Sequence, residues 1–400
     1  ENPEIRQEIF DMMRFWFDKG IDGFRMDSIS LIAKDPSFPL IDSKKYPDIF
    51  SFYAKEPRLH LYLHEMNRQV LSKYDCMSVG EGSAVMVDDV AKFVDPAREE
   101  LNMLYHFDAA RIRNTTLPDN PESGIDYSLI ALKKMFTEWD KAIDKGWPSI
   151  YLGNHDQPRM VSRFGSDKDE FRALSAKMLI TFLLTMRGTP YWFAGDEIGM
   201  RNIRFDRIED YNDIDTINRY KKAKAEGKDP QAVLDEQKET GRDNARTPFQ
   251  WDRSPEAGFT AGTPWLKVNP DYTWINVADE EKDPTSILNY FKKVVSFRKE
   301  NPSLIYGSYH LLDAENPQCY IFLRKTGADT YLIMLNFSPK AAISTPGIDM
   351  SNAHVLLDNY GDRSHMAPQK DITLRPFEAI VFQLNHPVYE SFIDSLDLLE

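Results

Sequence analysis

The feature that most constrains the fold of this chain is an alternation of helix-like and strand-like segments over its first half. Five short apolar stretches, most of them preceded by a helix-like segment, end in polar or acidic residues. We predict these strands over residues 21–27, 76–81, 101–108, 148–156 and 189–197. Such alternation is typical of the α/β class and predicts a parallel sheet with helices on its outside.

The helices carry clear boundary signals. Asn2-Pro3-Glu4 supplies a cap residue, a proline in the first turn and an early acidic residue, and Gly20 suits a helix end. The apolar residues between them keep helical spacing. We predict further helices over about 57–74, 127–145, 170–187 and 286–301.

The second half of the chain has a different pattern. Residues 200–285 are polar, charged and less regular, which indicates a long insertion that covers a domain or an active site. Apolar stretches at 319–325, 330–337, 354–359 and 378–384, separated by Gly, Pro, Asn and Asp, follow the helix at 286–301. These short strands predict a compact all-β domain at the end of the chain.

Composition excludes several classes of partner. The formal net charge of -14 argues against a nucleic acid or an anionic membrane, and leaves neutral small molecules open. The most apolar helical stretch, residues 176–186, is too short to span a bilayer and contains Lys177. Cys76 and Cys319 form no disulfide framework, so we expect reduced cysteines and a cytoplasmic location.

Three predicted strands end in acids. Asp27 follows GFRM, Glu81 follows MSVG, and Asp156 lies in GNHDQPR. A single acid at a strand end is more often structural, but the carboxyl ends of parallel strands meet at one edge, where chemistry gathers. Two opposed carboxylates are the working parts of a glycosidase. No G-x-G-x-x-G or G-x-x-x-x-G-K-[ST] motif is present, which weakens a nucleotide-binding alternative.

An arginine accompanies the first of these acids. Arg25 and Asp27 are two residues apart in a strand, so both project from the same face. A close positive charge lowers the pKa of a carboxyl group, so Arg25 is expected to keep Asp27 ionised. Glu81 has no neighbouring cation in the sequence, which suits an acid that must hold its proton near neutral pH.

Together these motifs resemble those of a known family. GFRMD, the Glu of SVGE and NHDQPR are similar to signature motifs of the α-amylase family, glycoside hydrolase family 13. GRDNARTPFQWD, residues 241–252, resembles a loop of its oligo-1,6-glucosidase and α-glucosidase branch. The resemblance extends over nearly the whole chain. It implies a (β/α)8 TIM barrel with a C-terminal antiparallel β-sandwich domain.

The resemblance also implies catalytic roles. Asp27 would be the nucleophile that forms a covalent glucosyl-enzyme, and Glu81 would be the general acid and then the base. Asp156 would stabilise the distorted sugar with the help of His155, and Arg25 would orient Asp27. Considered alone, His155 would more often be a hydrogen-bonded core histidine.

Three further residues would shape the substrate pocket. Arg242 and Arg246 would close its far side, although such arginines could also form surface ion pairs. Ser28 follows the nucleophile, where the family branch has valine with α-1,6 bonds and smaller residues with α-1,4 bonds. A small serine suggests that an α-1,4 bond is admitted, but one side chain alters specificity only modestly, so both linkages remain open.

The chain departs from the family in its strand count. The family barrel has eight strands with GFRMD on the fourth, so we expect residues 1–302 to supply strands four to eight, with an insertion at 200–285. Residues 303–395 would form the β-domain. The first three strands and an inserted domain have no counterpart, so we expect the later part of a longer polypeptide. A family Ca or Mg ion would belong to the missing part; we expect no cofactor and propose no metal ligands here.

The function expected from these features is that of a retaining, exo-acting α-glucosidase for short gluco-oligosaccharides or sucrose. The Asp27 and Glu81 carboxyl groups are then predicted to lie about 5–5.5 Å apart. The expected partner is a small oligosaccharide, and the oligomeric state stays open.

A sucrose isomerase is a second enzyme that the sequence allows, because residues 101–114 resemble those enzymes. However, Arg111-Ile112-Arg113-Asn114 replaces their Arg-Leu-Asp-Arg-Asp run, which favours hydrolysis. Two functions without catalysis stay open as well: the catalytically inactive heavy chain of an amino-acid transporter, and a plain carbohydrate-binding protein.

Overall fold

The structure is a computed structural model that describes residues 2–42, 44–46, 48–115, 118–120, 126–327, 329–348, 350, 353–363 and 370–384. Contacts between Cα atoms divide the chain into two compact units. Unit 1 comprises Glu1–Asn114 and Lys134–Ile150, and unit 2 comprises Thr115–Lys133 and Tyr151–Glu400. The boundary between the barrel and the β-domain at residues 302 and 303 stays a prediction, and residues 385–395 of that predicted domain lie outside the described residues.

Helices and strands alternate in the first half of the chain, and strands dominate its end. The α-helices are α1 Pro3–Asp18, α2 Ile49–Tyr53, α3 Arg58–Gln69, α4 Ala91–Val94, α5 Asp108–Thr115, α6 Leu129–Ala142, α7 Met160–Phe164, α8 Arg172–Thr185, α9 Ile214–Ala225, α10 Pro230–Thr240, α11 Val277–Glu280, α12 Ile287–Glu300 and α13 Ser303–Tyr306. The strands are β1 Gly23–Met26, β2 Met77–Glu81, β3 Met103–Tyr105, β4 Ser149–Ile150, β5 Thr189–Pro190, β6 Ser308–Leu312, β7 Cys319–Thr326, β8 Asp329–Asn336, β9 Ala342–Ser344, β10 His354–Asp358, β11 Ile372–Leu374 and β12 Ala379–Leu384.

Unit 1 contains a parallel three-stranded sheet in the order β1-β2-β3. Gly23 pairs with Met77, and a Cβ at residue 23 would lie 1.9 Å from the Met77 carbonyl oxygen, so only glycine fits there. Asn2 caps α1 as predicted, because its Oδ1 accepts a hydrogen bond from the Glu4 N–H at 2.8 Å. The third strand is shorter than predicted, since Asp108 begins α5 instead of ending β3.

Unit 2 contains a five-stranded antiparallel sheet in the order β10-β12-β8-β7-β6, and a two-stranded sheet of β9 and β11. The four strands expected near the end of the chain are confirmed, and β6, β9 and β11 join them. Their apolar side chains form one buried core cluster. Within the described ranges, no helix is long and apolar enough to cross a bilayer.

Two buried arginines hold the C-terminal end of α8. Arg298 of α12 donates hydrogen bonds to the carbonyl oxygens of Leu184 and Met186 at 2.9 and 2.8 Å. Arg324 of β7 donates to the carbonyl oxygen of Thr185 at 2.7 Å. The last carbonyl groups of a helix lack intrahelical partners, so these two side chains replace the bonds that the helix cannot make.

The segment 200–285 is more regular than expected, because it contains the full helices α9 and α10. Asp213 caps α9 through the Thr216 N–H at 3.0 Å, and Asp229 caps α10 through the Gln231 N–H at 2.9 Å. Both helices are polar on most of their surface, so their apolar spacing gave little helical signal.

Candidate active site

The first cluster of predicted site residues lies at the carboxyl end of the sheet in unit 1. In the parallel register Arg25 pairs with Val79, so it neighbours the end of β2, where Glu81 lies. Its guanidinium donates from Nη1 to Asp27 Oδ1 at 2.5 Å and from Nη2 to Glu81 Oε2 at 2.8 Å. One cation therefore bridges two carboxyl groups.

The bridge gives Glu81 a cation that its neighbours in the sequence do not supply. Arg25 contacts Asp27 as expected, and it also contacts Glu81. Arg25 and Glu81 are far apart in sequence, and the pairing of adjacent parallel strands brings them together. The ring of Tyr105, the last residue of β3, lies 5.9 Å from the Arg25 guanidinium carbon and completes the surroundings of this side chain.

Ser28 takes part through its backbone. It has φ 43° and ψ 35°, the left-handed conformation that residues with a Cβ rarely adopt. Its N–H donates to Glu81 Oε2 at 3.0 Å. The strained turn after Asp27 therefore supplies a second donor to the same oxygen that accepts from Arg25.

The two carboxyl groups have different environments. The Glu81 side chain is 8% exposed and that of Asp27 is 78% exposed. Burial raises the pKa of Glu81, and a hydrogen bond with Asp27 and its negative charge raise it further, against the lowering effects of the Ser28 N–H and the Arg25 charge. Burial lowers the pKa of Arg25, but the bonds to Asp27 and Tyr105 and the charge of Glu81 outweigh it and leave that pKa raised.

The second cluster surrounds Asp156 in unit 2. Asp156 Oδ1 accepts hydrogen bonds from Arg242 Nη1 at 3.2 Å and from Arg246 Nη2 at 2.8 Å. His155 Nε2 lies 3.2 Å from Asp156 Oδ2, and the His155 carbonyl oxygen accepts from Arg246 Nε at 2.7 Å. Both arginines therefore converge on the predicted acid and are not merely surface ion pairs.

Local structure fixes the loop that carries this acid. Asn154 Oδ1 accepts a hydrogen bond from the Asp156 N–H at 2.8 Å, a turn typical of asparagine. At Gly153 an added Cβ would lie 2.7 Å from Oδ2 of the buried Asp196, so the backbone packs closely there. These contacts explain why the NHD motif follows a glycine.

Asp213 is a residue of this cluster that reasoning from the sequence missed. Its buried carboxylate accepts from Arg242 Nε at 3.0 Å and also bonds Arg242 Nη2, while it caps α9 through Thr216. Burial raises its pKa, but the bonds from Thr216 and Arg242 outweigh burial and lower it. Asp213 directly precedes α9, so a helix-start signal could have identified it as a cap but not as a partner of Arg242.

A family profile matches most of the chain. The profile described as "Alpha amylase, catalytic domain" matches residues 1–307. The chain belongs to the α-amylase family.

Relatives place the chain within that family. It is 46% identical over 397 residues to the oligo-1,6-glucosidase of Parageobacillus thermoglucosidasius, covering 97% of this chain and 69% of the relative. It is 42% identical over 394 residues to the oligo-1,6-glucosidase of Bacillus cereus, covering 96% and 69%. The predicted oligo-1,6-glucosidase and α-glucosidase branch of the α-amylase family is thus confirmed, and the chain is a glycoside hydrolase.

Solved structures agree with the family fold. A trehalulose synthase mutant superimposes with a TM-score of 0.88 and 36% identity, covering 96% of this chain and 69% of that chain. The isomaltulose synthase from Protaminobacter rubrum gives the same values. The predicted fold class of a TIM barrel, represented here by its later strands, with a C-terminal antiparallel β-domain is confirmed.

The resemblance to the α-amylase family raised the question of a bound Ca or Mg ion. Among the residues that the structure describes, no group of three or more His, Cys, Asp or Glu side chains could hold a metal ion. The described residues therefore do not fit a Ca or Mg site.

Proposed function

We propose that this α-amylase family member is a retaining, exo-acting α-glucosidase that cleaves short gluco-oligosaccharides through a covalent glucosyl-Asp27 intermediate. The observation that supports the proposal most strongly is the bridge from Arg25 to both Asp27 and Glu81 at adjacent strand ends. It brings together two carboxyl groups with different environments, which a double displacement at a sugar requires.

In the first step, the Asp27 carboxylate attacks the anomeric carbon while Glu81 donates its proton to the departing glycosidic oxygen. The exposed Asp27 is accessible to a sugar, whereas burial and the contact with Asp27 raise the pKa of Glu81 so that it can hold a proton. Arg25 hydrogen bonds to Asp27 and so orients the attacking oxygen.

In the second step, Glu81, now ionised, takes a proton from water, and the resulting hydroxide attacks the anomeric carbon and releases Asp27. Two inversions return the α configuration. The bridge from one guanidinium group to both carboxyl groups supports this route, because an inverting pair needs a wider gap for water. The separation of about 5–5.5 Å predicted for the two carboxyl groups in the retaining route stays a prediction.

Asp156 is proposed to bind hydroxyl groups of the distorted glucose, with His155 beside it. The bonds from Arg242 and Arg246 fix the Asp156 carboxylate in one orientation. Little conformational entropy of this side chain therefore remains to be lost in the transition state. Asp213 holds Arg242 in turn.

Linkage preference has two indicators that point in different directions. Ser28 suggests room for an α-1,4 bond, whereas the similar curated relatives are named oligo-1,6-glucosidases. We propose that both α-1,4 and α-1,6 bonds are cleaved, with sucrose as a further substrate. The cytoplasmic location and the absence of nucleic-acid and membrane partners remain predictions from composition.

Sucrose isomerisation is the second candidate, since similar solved structures include a trehalulose synthase and an isomaltulose synthase. Against it stands the Arg111-Ile112-Arg113-Asn114 sequence, which departs from the run of those enzymes. The side chains of Arg113 and Asn114 lie outside the described residues.

NMR analysis of the products from maltose, isomaltose and sucrose tests the proposal. We expect α-glucose to appear first, and Asp27→Asn to lower kcat by about 10⁴-fold or more. β-Glucose as the first product would overturn the retaining mechanism, and isomaltulose or trehalulose from sucrose would establish the isomerase. A wild type that acts on none of the three sugars would overturn the proposal and favour the catalytically inactive transporter heavy chain as the relative in function.

A further inference from the structure

Three tryptophans of unit 2 are exposed in the segment that follows the GRDNAR motif. Trp251, Trp265 and Trp274 are 51, 56 and 41% exposed. The Trp251 ring packs 4.5 Å from Phe249, and the Trp274 ring has the Arg172 and Arg201 guanidinium groups 5.0 Å from its centre.

Trp265 differs from these two tryptophans. In the part of the chain that the structure describes, no aromatic ring or cation packs on its indole. A large aromatic ring that is left exposed gives up the free energy of burial, and such rings are enriched where a partner binds.

The exposure of Trp265 does not arise from a loose segment. Its carbonyl oxygen accepts a hydrogen bond from Asn212 Nδ2 at 2.9 Å. Leu266 is buried in a core cluster, and Lys267 Nζ lies 2.6 Å from Asp210 Oδ1. The backbone is therefore anchored at Trp265 and by the two residues that follow it, while the ring stays uncovered.

The same contacts tie Trp265 to the Asp156 cluster. Asp243 Oδ2 accepts from the N–H groups of Asn212 and Asp213 at 2.7 and 2.8 Å. Asp213 bonds Arg242, which donates to Asp156. The residue that holds the Trp265 backbone is thus the immediate neighbour of the one that holds Arg242.

We propose that Trp265 is a platform for the sugar residues that continue beyond the glucose being released. This inference rests on the proposed function. An exo-acting enzyme holds the terminal glucose against Asp156. The remaining sugar residues of the substrate would then contact exposed side chains beside that cluster. The flat C–H face of a pyranose stacks on an indole, whose electron-rich face attracts C–H groups and whose N–H can bond a hydroxyl.

The platform predicts a dependence on the sugar leaving group. For Trp265→Ala, the ratio of kcat/KM for isomaltotriose to kcat/KM for α-glucosyl fluoride should fall about tenfold, because fluoride leaves without a sugar to stack. Trp265→Phe keeps a flat ring and should retain most of that ratio. Trp251→Ala removes an exposed indole from the same segment and should leave the ratio unchanged.

The outcomes separate this inference from the proposed function. An equal loss on both substrates, or no loss on either, in Trp265→Ala would overturn the platform while the glucosidase stands. The same fall in Trp251→Ala would also overturn it. A wild type that releases glucose from neither substrate would overturn the proposed function, and the platform with it. Thermal unfolding of each variant shows whether its fold is intact.

Discussion

The two charged clusters use the same kinds of side chain in opposite proportions. Around Arg25, one guanidinium is shared by two carboxyl groups. Around Asp156, one carboxylate is shared by the guanidinium groups of Arg242 and Arg246. Two carboxyl groups thus surround one cation in the first cluster, whereas two cations converge on the Asp156 carboxylate in the second.

The number of cations around a carboxyl group decides whether that group can transfer a proton or serves to bind. Where two carboxyl groups share one cation, the buried one has its pKa raised and can exchange a proton, as the raised pKa of Glu81 indicates. Where two cations hold one carboxylate, that group is fixed in place and suits binding. Proton transfer is therefore proposed for the Arg25 cluster, and positioning for the Asp156 cluster.

The largest effect is expected from the removal of Arg25, because it leaves two carboxyl groups without their shared cation. Arg25→Ala is expected to lower kcat/KM about 10²–10³-fold, the scale for one positioned charge. Arg25 lowers the pKa of Glu81, so its loss raises that pKa further. Glu81 donates only when protonated, so the alkaline limb of the kcat/KM profile should move to higher pH.

Arg6→Ala is the matched control for this measurement, since Arg6 pairs with Glu65 outside the cluster. It removes the same charge and should leave the limb in place. An alkaline limb that stays still or moves to lower pH in Arg25→Ala would contradict the shared-cation account.

Asp213 tests the positioning role proposed for the Asp156 cluster. Asp213→Asn removes the negative charge beside Arg242, and we expect kcat/KM to fall about tenfold as the guanidinium loses its orientation. Asparagine caps helices as well as aspartate does, so the unfolding midpoint should change little. Asp215→Asn, an exposed acid in the same turn of α9, should keep wild-type kinetics. Equal kinetics for the two variants would show that Asp213 only caps the helix.

The smallest effect is expected at Ser28, whose backbone contributes a donor to the Arg25 cluster. Ser28→Gly relieves the left-handed conformation, so the free energy of unfolding in urea should rise by about 0.5–1 kcal/mol. The N–H to Glu81 is kept, so kcat/KM should stay within about twofold. Glu99→Gly, at another left-handed position, should give a similar gain in stability. A large loss of activity in Ser28→Gly would mean that its hydroxyl takes part.

The sequence predicted the elements and acids that depend on local signals. The cap at Asn2, the strands before Asp27 and Glu81, and the antiparallel strands near the end of the chain follow from spacing and turn residues. Contacts between residues on different strands or loops could not be predicted from these signals. The Arg25–Glu81 contact depends on the register of β1 and β2, which one strand alone does not specify.

The Asp213–Arg242 contact was missed for a different reason. The helices of segment 200–285 are polar, so the spacing of apolar residues gives little helical signal there and does not indicate a buried acid. Burial of Asp213 depends on α9 and the GRDNAR loop packing together, which sequence spacing does not reveal.

The two arginines at the end of α8 have a consequence for how the molecule melts. Arg324 belongs to the antiparallel sheet, yet its guanidinium satisfies a carbonyl group of a helix that precedes that sheet by more than a hundred residues. If the sheet unfolded alone, the buried Thr185 carbonyl oxygen would lose this donor, at a cost of about 1–3 kcal/mol. Helix α8 and strand β7 are thereby coupled into one cooperative unit, so heating should release both in a single transition.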